Sequence, residues 1–251
     1  MLRGRACRSE AIVTAADRPR LEAPAPSLLR VLGETRAVGD FAALLWHLPA
    51  LGRLPRGRGE PVLVLPGFGA GDGSTWALRA FLRSLGWDAH GWGLGINRGD
   101  VPALVRRVST NVVEGAQRSG RRVRLVGWSL GGYLAREVAR ERPDAVERVV
   151  TLGSPVVGGP KYTVVAGLYR RRGYDLDAIE AEVEARNRTP IAVPVTAIYS
   201  RRDGVVAWQA CVDRSTPDVE HVEVETTHVG LGFNATVYRV VAERLARRRS
   251  G

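Results

Sequence analysis

Cysteine is nearly absent from this chain. Its 251 residues hold two, Cys7 and Cys211, far apart and in no metal or redox spacing. That argues against a disulfide framework and a zinc site and fits a reducing compartment. Lysine is scarcer still. Lys161 stands alone, every other basic residue is arginine, and the formal net charge is +11. A basic surface can attract nucleic acid, anionic lipid or acidic substrates. These arginines are scattered, with no aromatic-interleaved patch, so they read as solvated surface and no nucleic-acid partner is expected. No stretch approaches the roughly 18 apolar residues of a membrane span. The N-terminus carries Arg3, Arg5 and Arg8, but its apolar part, Ala11 to Ala16, stops at Asp17, short of a secretory core of about 7–15 residues. A cytoplasmic chain is expected.

What is present is apolar content enough for a core, 45%, and many turn formers, 29 glycines and 14 prolines. The length suits one large domain or two small ones. Residues 1–58 read as an N-terminal extension, poorly ordered to about residue 26. Leu28, Leu29, Leu32, Phe41, Leu44, Leu45 and Leu48 then recur at helical spacing, with Gly33 and Gly39 expected to split the run in two. The run Phe41 to Leu54, with Trp46, is expected to pack on the body rather than lie against an interface. From 59 onward strands and helices alternate, which means an α/β fold with a mainly parallel sheet covered on both faces. Expected strands are Pro61–Pro66, Trp87–Trp92, Val123–Val126, Val146–Leu152, Val195–Tyr199 and Val219–Val224. Expected helices start near Ser74, at Val101, at Tyr133 and near Asn234. The segment 158–190 breaks the alternation. Tyr162, Val164, Val165, Leu168 and Tyr169 form its apolar half, and Leu176, Ile179 and Val183 recur at helical spacing in its acidic half.

The most telling stretch is Val123-Arg124-Leu125-Val126-Gly127-Trp128-Ser129-Leu130-Gly131-Gly132. A strand runs through a sharp turn into a helix, with Ser129 at the tip. Pushing that hydroxyl outward strains the backbone, and only small residues two before and two after leave room for strand and helix. Gly127 and Gly131 supply them. The loop Gly67-Phe68-Gly69-Ala70-Gly71-Asp72-Gly73 invites a dinucleotide reading, but Gly-x-Gly-x-x-Gly fails at Asp72 counted from Gly67 and at Ser74 counted from Gly69. With no Gly-Lys-Ser/Thr either, no nucleotide is expected, and no other cofactor or metal.

A serine needs a base. The histidines are His47, His90, His221 and His228. His221 lies in phase with Glu223 and Glu225 and is expected to face solvent with them. His228 follows that strand in Thr226-Thr227-His228-Val229-Gly230, a loop able to turn the imidazole over the sheet edge. For the acid, Asp203 sits just after a buried strand, before Gly204. Asp175 and Asp177 lie in the interrupting segment, and Asp213 and Asp218 lie further past the strand end.

The stretches Val64-Leu65-Pro66-Gly67-Phe68-Gly69, Gly127-Trp128-Ser129-Leu130-Gly131-Gly132, Asp203-Gly204-Val205-Val206 and His228-Val229-Gly230 together resemble the α/β-hydrolase superfamily, in particular its bacterial lipase- and esterase-like members. The resemblance covers about residues 60–247. It implies Ser129 as nucleophile, Asp203 as acid, His228 as base, and the Phe68 and Leu130 N–H groups as oxyanion donors. It also implies a cap at 158–190 and a small ester or lipid-like substrate cleaved through an acyl-enzyme. Acyl transfer with the same residues and a silent binding module are the alternatives. Dehalogenase or epoxide hydrolase chemistry would need aspartate at position 129. Pro66 stands where many lipases carry histidine, which favours a carboxylesterase-like enzyme over a secreted lipase.

Overall fold

The computed structural model describes residues 23, 25–26, 31, 33–216 and 219–247. Most of the stretch expected to be poorly ordered lies outside them, as do Leu28, Leu29, Leu32 and Asp218. The elements in chain order are α1 (Ala37–Leu51), β1 (Pro61–Leu65), α2 (Trp76–Ser84), β2 (Asp88–Gly91), α3 (Val101–Ser119), β3 (Val123–Trp128), α4 (Leu130–Glu141), β4 (Val146–Leu152), α5 (Ala166–Arg171), α6 (Leu176–Asn187), β5 (Val195–Tyr199), β6 (Glu220–Glu223) and α7 (Ala235–Ala246).

The strands form one six-stranded sheet, ordered β2-β1-β3-β4-β5-β6, and every pairing is parallel. Parallel strands buried on both faces call for continuous apolar runs, as in Val62-Leu63-Val64-Leu65. Alternate residues then serve opposite faces. Val62, Val64, Val126, Val150 and Ile198 pack under α1, α2 and α7, with Leu44, Leu51, Leu82, Tyr238 and Leu245 among the buried contacts. Leu65, Leu125, Val149 and Val195 pack under α3 and α4 on Leu104, Val108, Leu134 and Val138.

The helix ends follow local chemistry. Asp100 caps α3 by accepting from the Ala103 N–H, and Gly120 closes it at φ 63°. Asn234 caps α7 through the Thr236 and Val237 N–H groups. Gly39 does not split the N-terminal run. A 3₁₀ turn, Gly33–Arg36, leads straight into α1, which passes through Gly39. A glycine inside a helix costs about 1 kcal/mol relative to alanine, and burial of Leu44 and Leu51 with the edge contact of Phe41 on Phe233 (5.7 Å) offsets it. Among the described residues the helix packs by that side, and Trp46 on the other is 82% exposed.

The order reverses direction at β1. Chain order runs from β1 outward to β2, then returns to place β3 on the other side of β1. Loops leaving the C-terminal ends of β1 and β3 therefore part and leave a crevice between them. Register pairs Leu65 with Gly127, so the glycine loop after β1 and the serine turn after β3 open side by side.

Candidate active site

Ser129 has φ 54° and ψ −123° and is the one non-glycine residue at positive φ among the described residues. Such a backbone costs about 1–3 kcal/mol and survives only where its surroundings over-determine it. Here the Ser129 N–H donates to the Leu152 carbonyl (2.8 Å), and its carbonyl accepts from the Gly132 N–H (3.0 Å). The flanking glycines are obligatory. A Cβ on Gly127 would run into the Gly131 carbonyl, and one on Gly131 into the Leu65 carbonyl.

Gly67 lies against this turn, where an added Cβ would sit 3.2 Å from the Ser129 Cβ. The loop it opens is laced to Asn97, which is fully buried. The Asn97 Nδ2 donates to the Pro66 carbonyl (3.0 Å), its N–H to the Ala70 carbonyl (2.9 Å), and its carbonyl accepts from the Gly69 N–H (2.8 Å). Asp72 ties the far end by accepting from the Trp92 and Gly93 N–H groups. Among the described residues, the Phe68 and Leu130 N–H groups have no acceptor within the chain. Leu130 opens α4, where the positive end of the helix dipole lies.

The loops after β5 and β6 bring Asp203 to His228, with Oδ2 2.7 Å from Nδ1. The other carboxylate oxygen accepts from the Val205 (2.8 Å) and Val206 (2.7 Å) N–H groups, so the acid has one orientation. The Trp128 Nε1 donates to the His228 carbonyl (3.2 Å), and the Ser200 Oγ joins the two loops by donating to the Thr226 carbonyl. Gly153 (φ 55°) passes beneath the pair, where a Cβ would come within 3.0 Å of both the Asp203 Oδ2 and the His228 Nδ1. Burial pushes the imidazole pKa down, but the charge and hydrogen bond of Asp203, with the charge of Glu34, outweigh it and leave His228 above the ordinary 6.5. A carboxylate at Nδ1 assigns the neutral ring's proton there, leaving Nε2 as the acceptor.

Ser129, His228, Phe68 and Leu130 all line one cavity of about 710 Å³. Much of its other wall comes from 158–190, through Pro160, Val165, Tyr169, Tyr174, Ile179 and Val183. Tyr169 reaches across to Phe68, ring centres 5.8 Å apart. Lys161 ties the two halves of the segment together through Asp177 (2.6 Å) and Glu180 (2.5 Å), and Glu180 also accepts from the Tyr162 hydroxyl (2.6 Å). Of the segment's apolar residues, Val165, Tyr169, Ile179 and Val183 face the cavity, whereas Tyr162, Leu168 and Leu176 do not line it and Val164 is exposed.

The rival acids are engaged elsewhere. Asp175 caps α6, Asp177 pairs with Lys161, and Asp213 is buried against Arg136. His90 pairs with Asp88. His221 does not turn fully to solvent, because its Nε2 is buried with no partner among the described residues and burial lowers its pKa. Among the described residues, no His, Cys, Asp or Glu side chains cluster as a metal site.

Some residues around the site have no sequence signal. Asn97 reads only as a loop residue between Gly95 and Gly99. Glu34 and Asp40, both ahead of β1, reach the loop that carries His228. Only spatial proximity reveals such long-range contacts.

No curated protein matches the chain in sequence. Solved structures do share its fold. A monoacylglycerol lipase of Paleococcus ferrophilus superposes with a TM-score of 0.56 at 18% identity, over 75% of this chain and 96% of the other. The mature form of a lipase of Bacillus licheniformis gives 0.57 at 16%, over 77% and 94%. A structure described as a putative non-heme bromoperoxidase of Mycobacterium tuberculosis gives 0.54 at 14%, over 76% and 94%. Identities this low speak for architecture alone. The sequence pattern of the alpha/beta hydrolase family itself matches residues 62–248, the span from the first strand through the closing helix, and the chain belongs to that family.

Proposed function

We propose that this protein is a serine hydrolase that cleaves a carboxylic ester through an acyl-enzyme. The observation that carries the reading is the buried Asp203–His228 pair opening into the same apolar cavity as the strained Ser129. In the reaction the Ser129 Oγ attacks the ester carbonyl while His228 Nε2 takes its proton. Asp203 keeps the ring's proton on Nδ1 and stabilises the imidazolium. The carbonyl oxygen, now an anion, accepts from the Phe68 and Leu130 N–H groups. Collapse of the adduct returns the proton from His228 to the departing alcohol. A water activated by the same imidazole then attacks the acyl-serine and releases the acid.

Residues 59–251 form the hydrolase unit in this reading, with 158–190 as its cap. The cap sets Val165, Tyr169, Ile179 and Val183 over the cavity, so an apolar acyl chain lies against them and water is displaced from the oxyanion. The test is turnover of p-nitrophenyl esters of graded chain length by the wild type and Ser129→Ala. Hydrolysis that depends on Ser129 is expected. Hydrolysis that survives the substitution would place the chemistry elsewhere.

A further inference from the structure

The family match begins at residue 62, yet the loops carrying Asp203 and His228 are fastened from outside it. Glu34 sits in the 3₁₀ turn before α1. Its Oε1 accepts from the Gly204 N–H (2.8 Å) and from the N–H of His228 itself (3.1 Å). Its Oε2 accepts from the Val229 N–H (2.7 Å). One carboxylate thus gathers the residue after the acid, the base and the residue after the base. Asp40, in the first turns of α1, grips the same region by accepting from the Thr226 hydroxyl (2.7 Å) and the Asn234 amide (2.8 Å).

We infer that Glu34 is a positioning residue of the site, holding the acid loop and the base loop at a fixed spacing and placing a second negative charge behind the imidazole. The inference rests on the reading that Ser129, His228 and Asp203 act together. Glu34 is not among the residues lining the cavity, so it works through His228. Three converging N–H groups need an acceptor, and charge-assisted bonds to a carboxylate are about twice as strong as neutral ones. An apolar side chain there would leave the donors of the buried Gly204 and His228 unpaired. The second charge acts when His228 gains a proton, since it stabilises the imidazolium. Asp203, the other charge that acts on the ring, has the same sign, and Arg201 and Arg202 further along the acid loop pair with Glu223 and Glu225.

The test compares Glu34→Gln, Glu34→Ala and Asp40→Asn. Asp40→Asn loosens the same strap but leaves the charge behind the imidazole in place. The primary readout is the NMR titration of the His228 ring, assigned by its loss in His228→Gln. Glu34→Gln should move the midpoint to lower pH, and Asp40→Asn should lower thermal stability without moving it. With an ester substrate, Glu34→Ala should lower kcat by up to about 10²-fold, the scale of a reacting group displaced by an ångström, with KM little changed. If Glu34→Gln leaves the midpoint where it is and behaves like Asp40→Asn, Glu34 is a structural tie only and the inference falls. The ring titration needs no turnover, so failure of the esterase reading would show separately, as a Ser129 that no active-site probe labels.

Discussion

Two buried aspartates follow β5, and opposite outcomes are expected when each is converted to asparagine. Asp213 faces Arg136 with both side chains almost wholly buried, 0% and 1% exposed. Its Oδ1 also accepts from the Ser215 hydroxyl and from the Ser215 and Thr216 N–H groups. The Asp213→Asn side chain keeps that acceptor but turns an amide N–H₂ toward the guanidinium. Among the described residues Arg136 Nη1 already lacks a partner, so the variant buries an uncompensated cation. Breaking such a pair costs about 3–5 kcal/mol, and at about 2–4 °C per kcal/mol for a chain of this size Tm should fall by about 6–20 °C. Below that temperature kcat should stay near wild type, because Asp213 does not line the cavity. Asp203→Asn should do the reverse. Its amide oxygen keeps the Val205 and Val206 bonds, but its N–H₂ offers His228 Nδ1 a donor, which drives the ring's proton to Nε2. A base in the wrong tautomer loses ~10³–10⁴ in kcat, with Tm little changed.

Acid adds a check with a definite sign. Burial pushes the Asp213 carboxyl up, but Arg136 and the Ser215 bonds outweigh it and hold the group below its ordinary 3.8. The stability it lends is complete well above that value and fades progressively as pH falls below it toward the folded pKa. The Tm gap between wild type and Asp213→Asn should therefore narrow in acid. Thermal melts from pH 3 to 7 and kcat with a short ester are the assays. A stable but inactive Asp213→Asn beside a near wild-type Asp203→Asn would refute the assignment of the acid.

Other outcomes follow from the same geometry. The base must be neutral, and the His228 pKa lies above 6.5, so kcat/KM should rise with pH through a midpoint above 6.5. A midpoint below it would mean another group controls the rate. Tyr169→Ala with Ile179→Ala should lower kcat/KM more for long acyl esters than for short ones, since each methylene in an apolar pocket is worth up to ~1–3 kcal/mol. An equal effect on all esters would remove the cap from specificity. Duplex DNA should bind weakly and without sequence preference at physiological salt, and a nanomolar complex in about 0.15 M salt would contradict that.

The sequence was legible where close backbone packing or strand burial dictates local geometry. Gly127 and Gly131 could be read because a side chain at either would strike backbone, and the apolar runs of β1 and β3 because parallel strands have no wet face. Asp203 and His228 could be placed because each follows a strand of the alternating series. Legibility stopped where the partner lies far along the chain. Glu34 contacts His228 across 194 residues, and no local pattern marks it. Asn97 looks like a turn residue until its four bonds to the Pro66–Ala70 loop and Gly99 are seen. His221 misled because period-two phasing groups it with Glu223, whereas the buried Arg136–Asp213 pair lies close enough for both charges to act on its ring. Gly39 misled because a lone glycine costs less than the burial of Leu44 and Leu51 supplies.

The central claim is that Ser129 is a nucleophile activated by His228. Its most direct test is mass spectrometry of the protein after a fluorophosphonate probe, with peptide mapping of the adduct. One adduct per chain on the Ser129 peptide is expected, absent in Ser129→Ala and strongly slowed in His228→Ala. An unlabelled Ser129 in the folded wild type, or equal labelling in His228→Ala, would contradict the account.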